Sequence, residues 1–181
     1  MAQDGLRHGG LGADAAHLCI DMQGLFTGGS AWHTPWLERV LPVVERLAAA
    51  RPERTIFTRF IPANRPGEGE GRWRAYWERW AEMTLERLPP GATELLPPLA
   101  RLVPPAEVID KRFYSPWHGT DLHARLQARG IGTLIVTGAE TDVCVLGAVL
   151  GAVDHGYRVV VPTDALCSSS DSTHDALLTL Y

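Results

Sequence analysis

Apolar and polar positions along this chain follow two alternating periods, and the switches between them outline a fold. Short apolar runs at 17–22 (HLCIDM), 55–60 (TIFTRF), 107–110 (EVID) and 133–138 (TLIVTG), and the stretch 157–165 (YRVVVPTDA), read as strands. Between them the spacing becomes helical. From Trp36 to Ala50 the residues Leu37, Val40, Leu41, Val44, Leu47 and Ala48 recur on one face behind Pro35. Further helices are expected near 119–129 with Gly130 as stop, from about Asp142 to His155 with Gly156 as stop, and over 171–180 behind Ser169–Ser170–Asp171. Strand–helix alternation of this kind implies right-handed crossovers and a Rossmann-like, three-layer αβα arrangement around a central parallel sheet.

Two stretches interrupt the pattern. Residues 72–88 carry Trp73, Tyr76, Trp77 and Trp80 along one helical face, a stripe read as core or subunit packing that can also wall a pocket. A proline-studded connection, from Pro89 to Pro105, surrounds a short helix and leads into the strand before Lys111. The chain is 181 residues with 45% hydrophobic content, enough for one core, so residues 16–181 are read as a single domain behind a flexible N-terminal tail, 1–15.

Charge and cysteine usage narrow the partners. A net charge of −4 with scattered basic residues favours neither nucleic acid nor an anionic membrane, and no apolar run reaches membrane-spanning length. The polar, Gly-rich start does not resemble a signal peptide, and three cysteines without a CxxC pair suggest neither disulfides nor zinc, so a cytoplasmic location is expected. Of the 17 Lys and Arg residues only Lys111 is lysine, which suits a position needing a compact ammonium and not a forked guanidinium.

Ligands of open α/β sheets bind beyond the carboxyl ends of strands, and three residues with chemistry fall there. Asp21 follows the first strand, Lys111 the third, and Cys144, at the end of GAETDVC, 138–144, lies in the first turn of the next helix. A free thiol has a pKa of about 8.5, and a helix N-terminus contributes only about 0.3–1 kcal/mol, so a nearby cation is needed to make a thiolate. Lys111 is the candidate cation, and Asp21 the candidate base that takes the thiol proton and returns it to a leaving amine. Singly, each has a plain reading: Cys144 as a small buried hydrophobe, Asp21 as a turn residue. Cys19 and Cys167 are read as structural, and His8, His33, His118, His123, His155 and His174 as surface residues.

The segments IDMQ at 20–23, DKRFYS at 110–115, TGAETDVCV at 137–145 and VVVPTDA at 159–165 resemble the isochorismatase-like cysteine hydrolases in order and spacing over nearly the whole chain. The resemblance implies an Asp21–Lys111–Cys144 triad with an acyl-enzyme intermediate. It also implies a cis peptide between Ala139 and Glu140, and an oxyanion hole from the N–H groups of Glu140 and Cys144. Nicotinamidase-like members carry an Asp-x-His and a further His after the second strand to hold a metal. Here that region reads TRFIPANRPGEGEGRW, so neither a catalytic metal nor another cofactor is expected. The resemblance implies a further strand after the last helix, and with the sequence ending at Tyr181, either a missing edge strand or a truncated chain is expected.

The activity expected is hydrolysis of a C–N bond in a small amide, ureide or carbamoyl compound. Vinyl-ether hydrolysis of the isochorismate type is an alternative needing no thiol nucleophile, and a catalytically idle binding or oligomerisation module is another. A small-molecule substrate and a homodimer or homotetramer are the expected partners. Substrate contacts are expected from loop aromatics, Phe26, Phe60, Trp73, Tyr114 and Trp117, with Trp32 a further candidate.

Overall fold

In a computed structural model, described for Leu6 and residues 8–181, six parallel strands form one sheet flanked by helices. The strands are β1 (Ala15–Ile20), β2 (Thr55–Phe60), β3 (Glu107–Lys111), β4 (Thr133–Ala139), β5 (Arg158–Val160) and β6 (Leu166–Cys167). The helices are α1 (Leu37–Ala50), α2 (Arg72–Arg79), α3 (Pro97–Ala100), α4 (Leu122–Ala128), α5 (Cys144–Asp154) and α6 (Asp171–Leu180). The order along the sheet is β3-β2-β1-β4-β5, with β6 also paired to β4. The chain winds outward from β1 to β3 and then crosses to β4 on the other side of β1. The switch point therefore lies between β1 and β4.

Period-two alternation sends strand side chains to two separate cores. Cys19 and Phe57 join Val40, Val44 and Trp77 on the face covered by α1 and α2. Leu18, Ile20 and Ile56 join Leu122, Leu126, Val145 and Val149 on the face covered by α4 and α5. All six β1 residues are buried, as suits a central strand sealed on both faces.

The departures from the expected boundaries have local causes. β1 spans 15–20 and not 17–22, because its ladder with β4 starts at Ala15↔Thr133 and ends at Ile20↔Gly138. Within the stretch read as a tail, the Gly9 and Gly10 carbonyls accept hydrogen bonds from Arg158, and Ala15 lies in β1. Residues 1–5 and 7 lie outside the described residues. The stretch 157–165 forms β5, a 3-10 turn and then β6 beyond it, since Pro162 has no N–H to continue a ladder. The helix expected across 72–88 ends at Arg79 and passes through a 3-10 turn, Ala81–Met83. At α6 the Ser170 side chain accepts the Thr173 N–H, the expected cap.

Two positions carry tight constraints. Gly138 has φ +110, and a Cβ there would lie 2.0 Å from the Ile20 carbonyl oxygen, so β1 and β4 approach closely just before the Ala139–Glu140 cis peptide. Gly138→Ala is expected to cost about 3 kcal/mol or more in a urea titration, through clash and a disfavoured φ together. His17 is buried in β1 with Nε2 2.7 Å from Thr137 Oγ1, and burial lowers its pKa from 6.5 to about 4. Between those values the unfolded chain binds a proton that the folded chain refuses, so stability falls as pH drops. Going from pH 7 to pH 5, the native protein should lose about 2 kcal/mol more than His17→Gln; parallel losses in the two proteins would contradict this.

Candidate active site

β1 and β3 deliver a carboxylate and an ammonium to the same rim. Asp21 leaves β1 with φ 50, a left-handed conformation that aspartate tolerates better than most residues. Its backbone N–H donates to Thr58 O, and its Oδ1 accepts the Thr58 hydroxyl at 2.6 Å, so the middle strand β2 holds the turn from both ends. Lys111 closes β3, paired with Phe60, and its Nζ lies 2.6 Å from Asp21 Oδ2 with both side chains sealed from solvent. The same ammonium donates to Phe113 O at 3.0 Å and to Cys144 Sγ at 3.4 Å, and it stands 5.1 Å from the Phe60 ring centroid. Three residues separated by up to 123 positions thus meet at the switch point.

Cys144 is the first residue of α5, so its N–H has no acceptor within the helix. Its thiol is displaced upward, chiefly by burial; Lys111 opposes this and Asp21 reinforces it. Burial thus works against the thiolate that Lys111 favours. Burial alone would lower the Lys111 ammonium, but the charges of Asp21 and Cys144 and hydrogen bonds to both raise it, so it stays charged. Cys19 and Cys167 are buried, and burial pushes the Cys19 thiol up to about 12.

The loop before Cys144 is clamped from behind. The Thr141 hydroxyl donates to Cys167 O at 3.1 Å and lies 2.8 Å from His174 Nδ1. The Tyr181 hydroxyl donates to Thr141 O at 2.9 Å. His174, expected at the surface, is thus half-buried against this loop. Gln23, within the IDMQ segment, is buried and bridges Phe60 and Thr93, fixing the strand end beside Asp21.

Above Cys144 opens a cavity of about 300 Å³ walled by Phe26, Trp32, Phe60, Tyr76, Trp80 and Tyr114. Ala31, Glu140, Val143 and Ser169 complete its lining. Trp32 is the hub, with ring centroids 5.7 Å from Trp80, 5.9 Å from Phe60 and 6.4 Å from Phe26. Trp73 and Trp117 are not part of the wall. Trp73 faces a neighbouring cavity with Trp77 and Phe113. Trp117 fills the groove left by Gly151, where a Cβ would come within 2.1 Å of its ring, and donates to Ala148 O. The helical spacing of Tyr76 and Trp80 was the available signal for the pocket wall, but spacing does not distinguish a stripe that faces a cavity from one that packs.

A doubly wound parallel sheet that gathers a carboxylate, an ammonium and a thiol at its switch point defines an α/β protein with a cysteine-centred site. The isochorismatase domain family model matches residues 15–181, and the chain belongs to that family. It is 30% identical to maleamate amidohydrolase of Pseudomonas putida over 93% of this chain and 79% of that protein. It is 29% identical to N-carbamoylsarcosine amidase of Arthrobacter sp over 87% of this chain and 61% of that one. A crystal structure of a cysteine hydrolase from Pseudomonas syringae pv. phaseolicola superposes with TM-score 0.77 at 27% identity, covering 92% of this chain and 83% of that chain. With some other curated relatives the aligned region spans only 36% and 50% of their length.

Because Lys111 opposes the upward displacement of the thiol, removing its charge should slow alkylation of Cys144. Iodoacetamide labelling followed by peptide mass spectrometry should give a rate for Lys111→Ala at pH 8 lower by about tenfold, which is about one pKa unit. An equal or faster rate in a folded variant would mean that the ammonium does not act on the sulfur.

Proposed function

We propose that this chain hydrolyses a C–N bond in a small amide, ureide or carbamoyl compound through an acyl-Cys144 intermediate. The observation that carries the reading is the Lys111 ammonium held between Asp21 Oδ2 and Cys144 Sγ at the base of an aromatic-walled cavity. Two relatives named as an amidase and an amidohydrolase support the bond type.

In this reading the substrate carbonyl carbon sits over Sγ. Asp21 takes the thiol proton as sulfur attacks, a C–S bond forms and the carbonyl π pair moves onto oxygen. The Lys111 ammonium steadies the developing charge on sulfur, and the N–H groups of Glu140 and Cys144 receive the oxyanion, where each such donor typically contributes about 10²–10³ in rate. Collapse breaks the C–N bond, and the nitrogen leaves with the proton held by Asp21. Water then attacks the thioester carbon and gives a proton to Asp21; C–S cleavage frees the acid, and the proton returns to Sγ. A cavity of about 300 Å³ suits a small molecule and not a polymer.

Against a panel of primary amides, ureides and carbamoyl compounds, Cys144→Ala and Asp21→Asn are each expected to lose on the order of 10³ or more in kcat/KM. Acid-quenched native protein should carry the acyl mass on the peptide containing Cys144. A folded Cys144→Ala that turns over its substrate at the native rate would rule out the covalent route. A native protein that cleaves no compound and gains no adduct would behave as the binding module considered above.

A further inference from the structure

We infer that the cavity selects its substrate by charge, taking an amide whose remote end is an amine or quaternary ammonium cation, and that the Glu140 carboxylate is the selecting group. The inference builds on the amide reading and names its substrate class.

The lining carries six aromatic rings and no lysine, arginine or histidine among the described residues. Lys111 does not change this balance: its side chain is fully sealed and its charge is countered at 2.6 Å by Asp21. What remains is negative. Among the described residues, neither Glu140 nor Asp142 has a Lys, Arg or His nitrogen within ion-pair distance, although ten ion pairs form elsewhere. Glu140 is met by the Ser169 hydroxyl at 3.0 Å, and Asp142 by the Ser168 hydroxyl. Burial, with Asp142 adding to it against the Ser169 hydrogen bond, raises the Glu140 carboxyl, the behaviour of a carboxylate without a cationic partner. Burial and the neighbouring Tyr114 push the Tyr76 hydroxyl up, and Cys144 and Glu140 add to this, so the Tyr76 hydroxyl adds no charge to the wall.

Ring faces carry negative quadrupole potential, so a cation in this box gains from the rings and from Glu140 together, whereas a carboxylate is repelled by both. An uncharged apolar tail gains burial alone. Three amides of one chain length separate these cases: γ-trimethylammonio-butanamide, its uncharged tert-butyl isostere and the carboxylate analogue glutaramate. Binding is measured by calorimetry on full-length Cys144→Ala, which keeps the rings and Glu140 but lacks the nucleophile. The ammonium compound should bind about tenfold more tightly than the isostere and glutaramate far more weakly than either; adding Glu140→Gln, which can still bond to Ser169, should bring the first ratio to within about threefold.

Equal or weaker binding of the ammonium compound, no measurable binding of it, tight glutaramate binding, or an unchanged ratio in the Glu140→Gln background would each overturn the assignment. Turnover by native protein is scored separately. Charge preference without cleavage of any amide would sink the catalytic reading and leave the selection standing, and cleavage without preference would do the reverse.

Discussion

An ammonium taken out of water must be given back, by the protein, the charge and hydrogen bonds that water supplied, and Lys111 meets this demand at zero side-chain exposure. Desolvating such ions costs several kcal/mol each, offset only where partners surround both charges with good geometry. Here Asp21 supplies the counter-charge, Thr58 binds the other carboxylate oxygen, and the Phe113 carbonyl, the Phe60 ring and the Cys144 sulfur take the remaining directions. These partners come from the ends of β1 and β2, the residues after β3 and the start of α5. The pair is satisfied only when β1, β2 and β3 end in register and α5 begins beside them, so one buried interaction ties together the endings of the sheet.

The same burial governs the sulfur. A thiol in a dry site beside a carboxylate resists ionisation, even with an ammonium near it. Cys144 thus sits between opposing influences, burial and Asp21 raising its thiol and Lys111 lowering it. The loop before Cys144 is braced by contacts from Cys167, His174 and Tyr181, so β6, α6 and the residue after it hold the site from behind.

Around this rigid floor the wall comes from the connections after β1 and β2 and from the residues following β3. Trp32 packs between Phe26, Phe60, Tyr76 and Trp80, turning segments that would otherwise be loosely held into a continuous aromatic surface. Glu140 and Ser169 add polar groups on the side of the loop before Cys144. Floor and wall obey different physics: ion-pair register fixes the first, and ring packing fixes the second.

Much of the floor was legible in the sequence. Uninterrupted apolar runs mark strands sealed on both faces, a three-to-four residue period marks the helices that cover them, and in a parallel sheet the residues after strands converge on one rim. Asp21, Lys111 and Cys144 could therefore be placed together without knowing any distance, and the single lysine among arginines pointed to the ammonium. The wall was not legible in the same way. Phe26, Phe60 and Tyr114 reach the cavity, whereas Trp73 turns to a neighbouring one and Trp117 drops into the notch at Gly151. Sequence periodicity reports which face of an element is apolar, but whether that face meets a core, a cavity or a glycine notch depends on what other segments occupy the space. The burial of the thiol, the bracing by His174 and the lack of a cation beside Glu140 among the described residues likewise emerged only from tertiary structure, because burial and the distances between charges are properties of the assembled chain.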